Sequence, residues 1–165
     1  MSSQHRRMSA LIFSGVVAGI GGAIVVAAPI ATATPVECRA PGASTAGNVT
    51  DTSECSATST NGSAAAAFGV DGSATSAAGP QALALAIAMS GGTAMSQAQN
   101  LSGPAAIAIG PGATVDLTGV RPGLTLGIAT NGATVTVDGV GTPTCTGGPA
   151  FAGDFQTLQG CLSLR

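Results

Sequence analysis

The chain has 165 residues, of which 7% are charged, with a formal net charge of −2, 25 glycines, four cysteines, one histidine and no lysine, tryptophan or tyrosine. Beyond residue 33 its only cations are Arg39, Arg121 and Arg165 against seven acids, so no basic patch can form to neutralise nucleic-acid phosphates. The single histidine, His5, lies before that point, which excludes Ser-His-Asp and Cys-His catalytic groups from the remainder.

Residues 1–33 read as a removable export signal. A basic start (His5, Arg6, Arg7) precedes an apolar run over 11–28, and Ala31-Thr32-Ala33 offers the small side chains that a signal peptidase inspects. The run approaches the roughly 20 residues that cross a bilayer. Ser14, Gly15, Gly19, Gly21 and Gly22 lower its hydrophobicity and favour cleavage after Ala33 over a retained anchor. The rest, about 132 residues, makes one domain, expected to be secreted or held in the cell envelope.

Residues 34–61 are polar, contain Cys38 and Cys55, and read as an irregular N-terminal cap held by a disulfide. Residues 62–141 then divide into eight rows of ten, among them GSAAAAFGVD, SGPAAIAIGP and GATVTVDGVG. Each row has a turn rich in Gly, Pro, Asn or Asp, followed by small or apolar residues. Period-two alternation in Leu83, Leu85, Ile87 and Met89, in Ile107 and Ile109, in Val115 and Leu117, and in Val135 and Val137 predicts strands. Residues 81–89 are the exception, since their Ala and Leu content also suits a short helix.

The expected fold class is therefore all-β. Short repeated strands either coil into a parallel solenoid or roll, or reverse through Asn61-Gly62, Asp71-Gly72, Asn131-Gly132 and Asp138-Gly139 into an antiparallel meander. Small side chains favour the solenoid, because they fill a wide two-sheet sandwich poorly. Residues 142–165 form the second cap, with Cys145 and Cys161 and with Phe151 and Phe155 as expected core plugs. An even cysteine count outside the cytoplasm predicts two disulfides. Of the three possible pairings, Cys38 with Cys55 and Cys145 with Cys161 close the shortest loops. With no Cys-x-x-Cys and no histidine nearby, a zinc site is not expected.

The stretch Ala105-Ala106-Ile107-Ala108-Ile109-Gly110-Pro111-Gly112-Ala113-Thr114, preceded by looser versions from Gly62 to Gly79, resembles the head repeats of YadA-like trimeric autotransporter adhesins. That resemblance implies a non-enzymatic parallel β-roll that presents a surface. It covers about a third of the chain and departs from the family in its ten-residue rows, its disulfides, and its lack of a coiled-coil stalk or membrane barrel. The whole outline is also similar to small exported actinobacterial proteins of unknown function, through the signal, a cysteine near each end of a Gly/Ala-rich middle, and the closing segment from Cys145 to Leu162.

Asp71, Asp116 and Asp138 fall in three different columns of the rows, where a calcium-binding roll repeats one column. Thr134-Val135-Thr136 has the form found on ice-binding solenoids, but one such tripeptide does not make a regular face. No catalytic, cofactor or metal residues are expected, and the only special side chains are the four cysteines. The leading expectation is a secreted or envelope structural and interaction protein, with envelope or surface components or further copies of itself as partners. A small binding module for an apolar ligand or lipid is the alternative, favoured if Leu83, Leu85, Ile87, Met89 and Met95 line one cavity. An exposed apolar patch above a few hundred Å² points to an interaction surface.

Overall fold

The computed structural model describes residues 33–155 and 157–165. The export-signal reading falls almost wholly on residues 1–32, outside the described residues. All regular structure described is strand. The N-terminal strands are β1 (Val36–Pro41), β2 (Ser44–Val49) and β3 (Glu54–Ser59). The body continues with β4 (Ala64–Val70), β5 (Ser73–Ala78), β6 (Leu83–Met89) and β7 (Thr93–Ala98). It ends with β8 (Ser102–Ile109), β9 (Thr114–Gly119), β10 (Gly123–Ala129) and β11 (Thr134–Val137). Last come β12 (Thr144–Thr146), β13 (Ala150–Asp154) and β14 (Gln159–Ser163).

These strands form two seven-stranded sheets. The first runs β1-β4-β6-β8-β10-β13-β14 and the second β12-β11-β9-β7-β5-β3-β2. Successive body strands alternate between the sheets, and each pairs in parallel with the strand two places on, so the fold is the parallel β-solenoid. In the second sheet Glu54 lies beside Ser73, Ser73 beside Thr93, Thr93 beside Thr114 and Thr114 beside Thr134. One coil thus takes 19 to 21 residues, or two of the ten-residue rows. The Asn-Gly pairs at 61–62 and 131–132 do not make hairpins. Gly62 (φ 76°) and Gly132 (φ 69°) supply left-handed turns that carry the chain from one sheet to the other.

The core between the sheets is mostly alanine. Nineteen of the buried hydrophobic residues described are alanine, including Ala67, Ala86, Ala106 and Ala129 in the first sheet and Ala57, Ala74 and Ala94 in the second. In the last coils the second sheet contributes larger groups, Val115, Leu117, Val135 and Val137, and the first sheet makes room with Gly127. A Cβ on Gly127 would sit 2.8 Å from Leu117 Cδ2, 3.0 Å from Val115 Cγ1 and 3.1 Å from Val135 Cγ1. Large residues on one sheet are thereby matched by a missing side chain on the other. Ser96 donates to the Pro104 carbonyl at 2.9 Å, while the buried Ser76 hydroxyl has no partner.

Both ends of the stack reverse direction. β1 and β2 pair antiparallel with β4 and β3, and β12 and β13 pair antiparallel with β11 and β10. Cys38 of β1 is bonded to Cys55 of β3, and Cys145 of β12 to Cys161 of β14, so each disulfide staples one sheet to the other at an end of the stack.

Three expectations need correction. Residues 83–89 are a strand and not a helix, because pairing with β4 and β8 on both edges outweighs the weak helix preference of Ala and Leu. The flank at 34–60 is not irregular: it supplies β1, β2 and β3. Phe151 and Phe155 do not plug the core. They are 41% and 58% exposed, since a core lined by alanine has no room for a phenyl ring.

Candidate functional site

Strand side chains alternate between faces, so alanine on the inside leaves the larger residues of the first sheet outside. In β6 the inward residues are Ala84, Ala86 and Ala88, and the outward ones Leu83, Leu85, Ile87 and Met89. Parallel pairing then aligns like with like across the sheet. Phe68, Ile87, Ile107, Ile128, Phe151 and Leu162 are successive register partners, making one apolar row across six strands. The five residues on which the ligand-binding alternative depends do not line one cavity: Leu83, Leu85, Ile87 and Met89 share this outer face, while Met95 lies on β7 in the other sheet.

Beside that row the relief alternates strand by strand. Ala64 and Ala66 on β4 are followed by Leu83 and Leu85 on β6, by Gly103 and Ala105 on β8, and by Leu124 and Leu126 on β10. Leucines on β6 and β10 make ridges, and small residues on β4 and β8 make troughs. Leu83 and Leu124 are 63% and 64% exposed. Together they border an open groove of about 440 Å³, whose lining includes Arg39, Pro41, Ala64, Leu85 and Pro104. The outward positions of β4, β6, β8 and β10 carry no charge. Charges appear at the β1 edge, where Arg39 pairs with Glu37 and lies 6.0 Å from the Phe68 ring centroid.

The outer face of the second sheet has a different chemistry. Ser73, Thr93, Thr114, Thr134 and Thr146 form one hydroxyl row in register. The neighbouring row of Thr75, Met95, Asp116, Thr136 and Thr144 is interrupted by Met95 and Asp116. The hydroxyl row extends well beyond Thr134-Val135-Thr136, because its members come from different coils. Of the three aspartates considered for calcium, Asp71 stands in a turn with φ 53° and Asp116 on this sheet. Asp138 accepts N–H groups of Gly141 and Val140 at 2.6 and 3.0 Å, which hold its carboxyl below the usual aspartate range. The four cysteines are where the sequence put them, at the two ends.

The rows across strands were not found in the sequence, although a signal for them exists. Aligning at the coil length of 19 to 21 residues, in place of ten, puts Phe68, Ile87, Ile107 and Ile128 in one column.

No curated protein and no solved structure matches the chain. A family model does match, over residues 2–164, and by that match the chain belongs to a family of unknown function (DUF6764).

Proposed function

We propose that this is a secreted or cell-envelope structural and interaction protein with no catalytic role, exported by residues 1–33, whose solenoid presents the outer face of its first sheet to a partner. The observation that carries the reading is that face: an uncharged, contiguous surface of Leu, Ile, Phe and Ala across β4, β6, β8 and β10, the kind of apolar patch that marks interaction sites. Two disulfides support an oxidising compartment. The analogy with YadA-like heads and the similarity to exported actinobacterial proteins belong to this same reading.

Intact mass of the protein recovered from the medium and envelope of its native host, with and without reduction before thiol alkylation, tests it. A mass starting at Thr34, with alkylation only after reduction, is expected. A full-length cytoplasmic product with free thiols overturns the export part. The groove beside Leu83 and Leu124 favours a second reading, a module that binds an apolar ligand or lipid there. Saturable uptake of a fluorescent fatty acid, lost in Leu83→Lys, would select that reading.

A further inference from the structure

We infer that the partner of this face is a second copy of the chain, packed sheet to sheet about a two-fold axis that runs along the strands midway between β6 and β8. The inference rests on reading the face as an interaction surface and adds what covers it.

The ground for it is self-complementarity. Such an axis reflects strand positions through their midpoint, so β6 of one copy faces β8 of the other, and β4 faces β10. Rows are preserved along the strand direction. Leu83 and Leu85 then stand over Gly103 and Ala105 of the second copy, and Ala64 and Ala66 receive its Leu124 and Leu126. In these two rows ridge meets trough, while in the neighbouring row Ile87 stands over Ile107 and Phe68 over Ile128, apolar on apolar, and the same contacts are made twice, as an isologous interface requires. Leu124, which leans over Gly103 in the single chain so that a Cβ there would lie 2.9 Å from Leu124 Cδ2, swings towards Ala64 of the second copy. A lipid surface asks for no relief of this kind, and a different protein would not require the face to fit itself.

The size and charge of the face agree. Strands about 4.8 Å apart and residues rising about 3.3 Å each make the overlap, from β1 to β13, about 24 Å by 20 Å. Two copies cover about 1,000 Å² in plan before side-chain relief adds to it, which meets the lower bound of about 1,000 Å² for a biological interface. The four central strands bring no like charges together. Glu37 and Arg39 fall at the rim, where interfaces keep their polar groups.

The full chain, expressed with its own export segment and purified as the exported product, would be examined by sedimentation and light scattering at micromolar concentration. The mass of two copies is expected. Leu83→Lys with Leu124→Lys, both at positions more than half exposed, should keep the strand circular dichroism and both disulfides while weakening self-association at least 100-fold. A finer readout fixes the axis: Ala64→Cys and Leu124→Cys chains, mixed and mildly oxidised, should cross-link to each other, and neither should cross-link to itself. A mass of three copies, a dimer indifferent to the lysines, or self-cross-linking of either variant overturns the arrangement. A monomer that binds phosphatidylcholine vesicles through Leu83 and Leu124 overturns the second copy but keeps the face as an interaction surface. A monomer that binds neither overturns both.

Discussion

The pairing of Leu117 with Gly127 offers a quantitative test of how this narrow core is packed. Leu117→Ala removes three carbons from a fully buried site. At about 0.8 kcal/mol each plus a cavity term, the expected loss is roughly 3 to 4 kcal/mol. Gly127→Ala alone places a methyl 2.8 Å from Leu117 Cδ2 and within 3.1 Å of two valines, an overpacking cost of about 1 to 3 kcal/mol. That cost is offset by about 0.4 to 1 kcal/mol from a less flexible unfolded chain. In the Leu117→Ala background the main clash is gone and the new methyl fills part of the cavity, so the same substitution should change sign and stabilise by about 1 kcal/mol. Urea unfolding of the four proteins, disulfides intact, measures the coupling, expected at about 2 to 3 kcal/mol. Additivity within about 0.5 kcal/mol would refute the account of the two sheets as matched by volume.

Other consequences are simpler. Ser76→Ala removes a buried hydroxyl that has no partner, and should raise stability by about 1 kcal/mol in the same urea assay. Replacing Cys38 and Cys55 by alanine opens a bridge of sequence separation 17, and should cost about 3 kcal/mol in the chain-entropy model. An unchanged urea midpoint would mean that β1 and β3 hold together unaided. Asp138 has a depressed folded-state pKa, so what its two backbone hydrogen bonds contribute is present above the ordinary aspartate range and is lost as pH falls through the folded value. An NMR titration of the Val140 and Gly141 amides should show a midpoint below that of an unperturbed aspartate, and Asp138→Asn should abolish the transition.

Much of the fold was legible because its signals are local. Period-two alternation identified strands, glycine-bearing turns marked row ends, and short loops selected Cys38–Cys55 and Cys145–Cys161 from three pairings. What escaped depends on which side of a strand faces in. In Leu83–Met89 the ordinary expectation buries the leucines, yet the alanines go inside, because the backbones of the two sheets leave room for little else. That inversion also expelled Phe151 from the core and created the apolar face. No single row contains it: its members are one coil apart and meet only when the coils stack. The helix expectation for 81–89 failed for a related reason, since two flanking parallel strands outweigh a propensity of a few tenths of a kcal/mol per residue.

The reversed, disulfide-bonded strands at either end have a consequence for how such a protein changes over generations. The interior coils are interchangeable in outline, each spanning 19 to 21 residues, whereas the ends are unlike anything between them. Gain or loss of a whole coil therefore lengthens or shortens the molecule in steps of one strand spacing, about 4.8 Å, and leaves both terminations intact. Deletion of half a coil would instead remove a strand from one sheet only and send every later strand to the opposite sheet. Length in this architecture behaves as a counted quantity, and relatives that differ in size should differ by multiples of about twenty residues placed between Ser59 and Thr134.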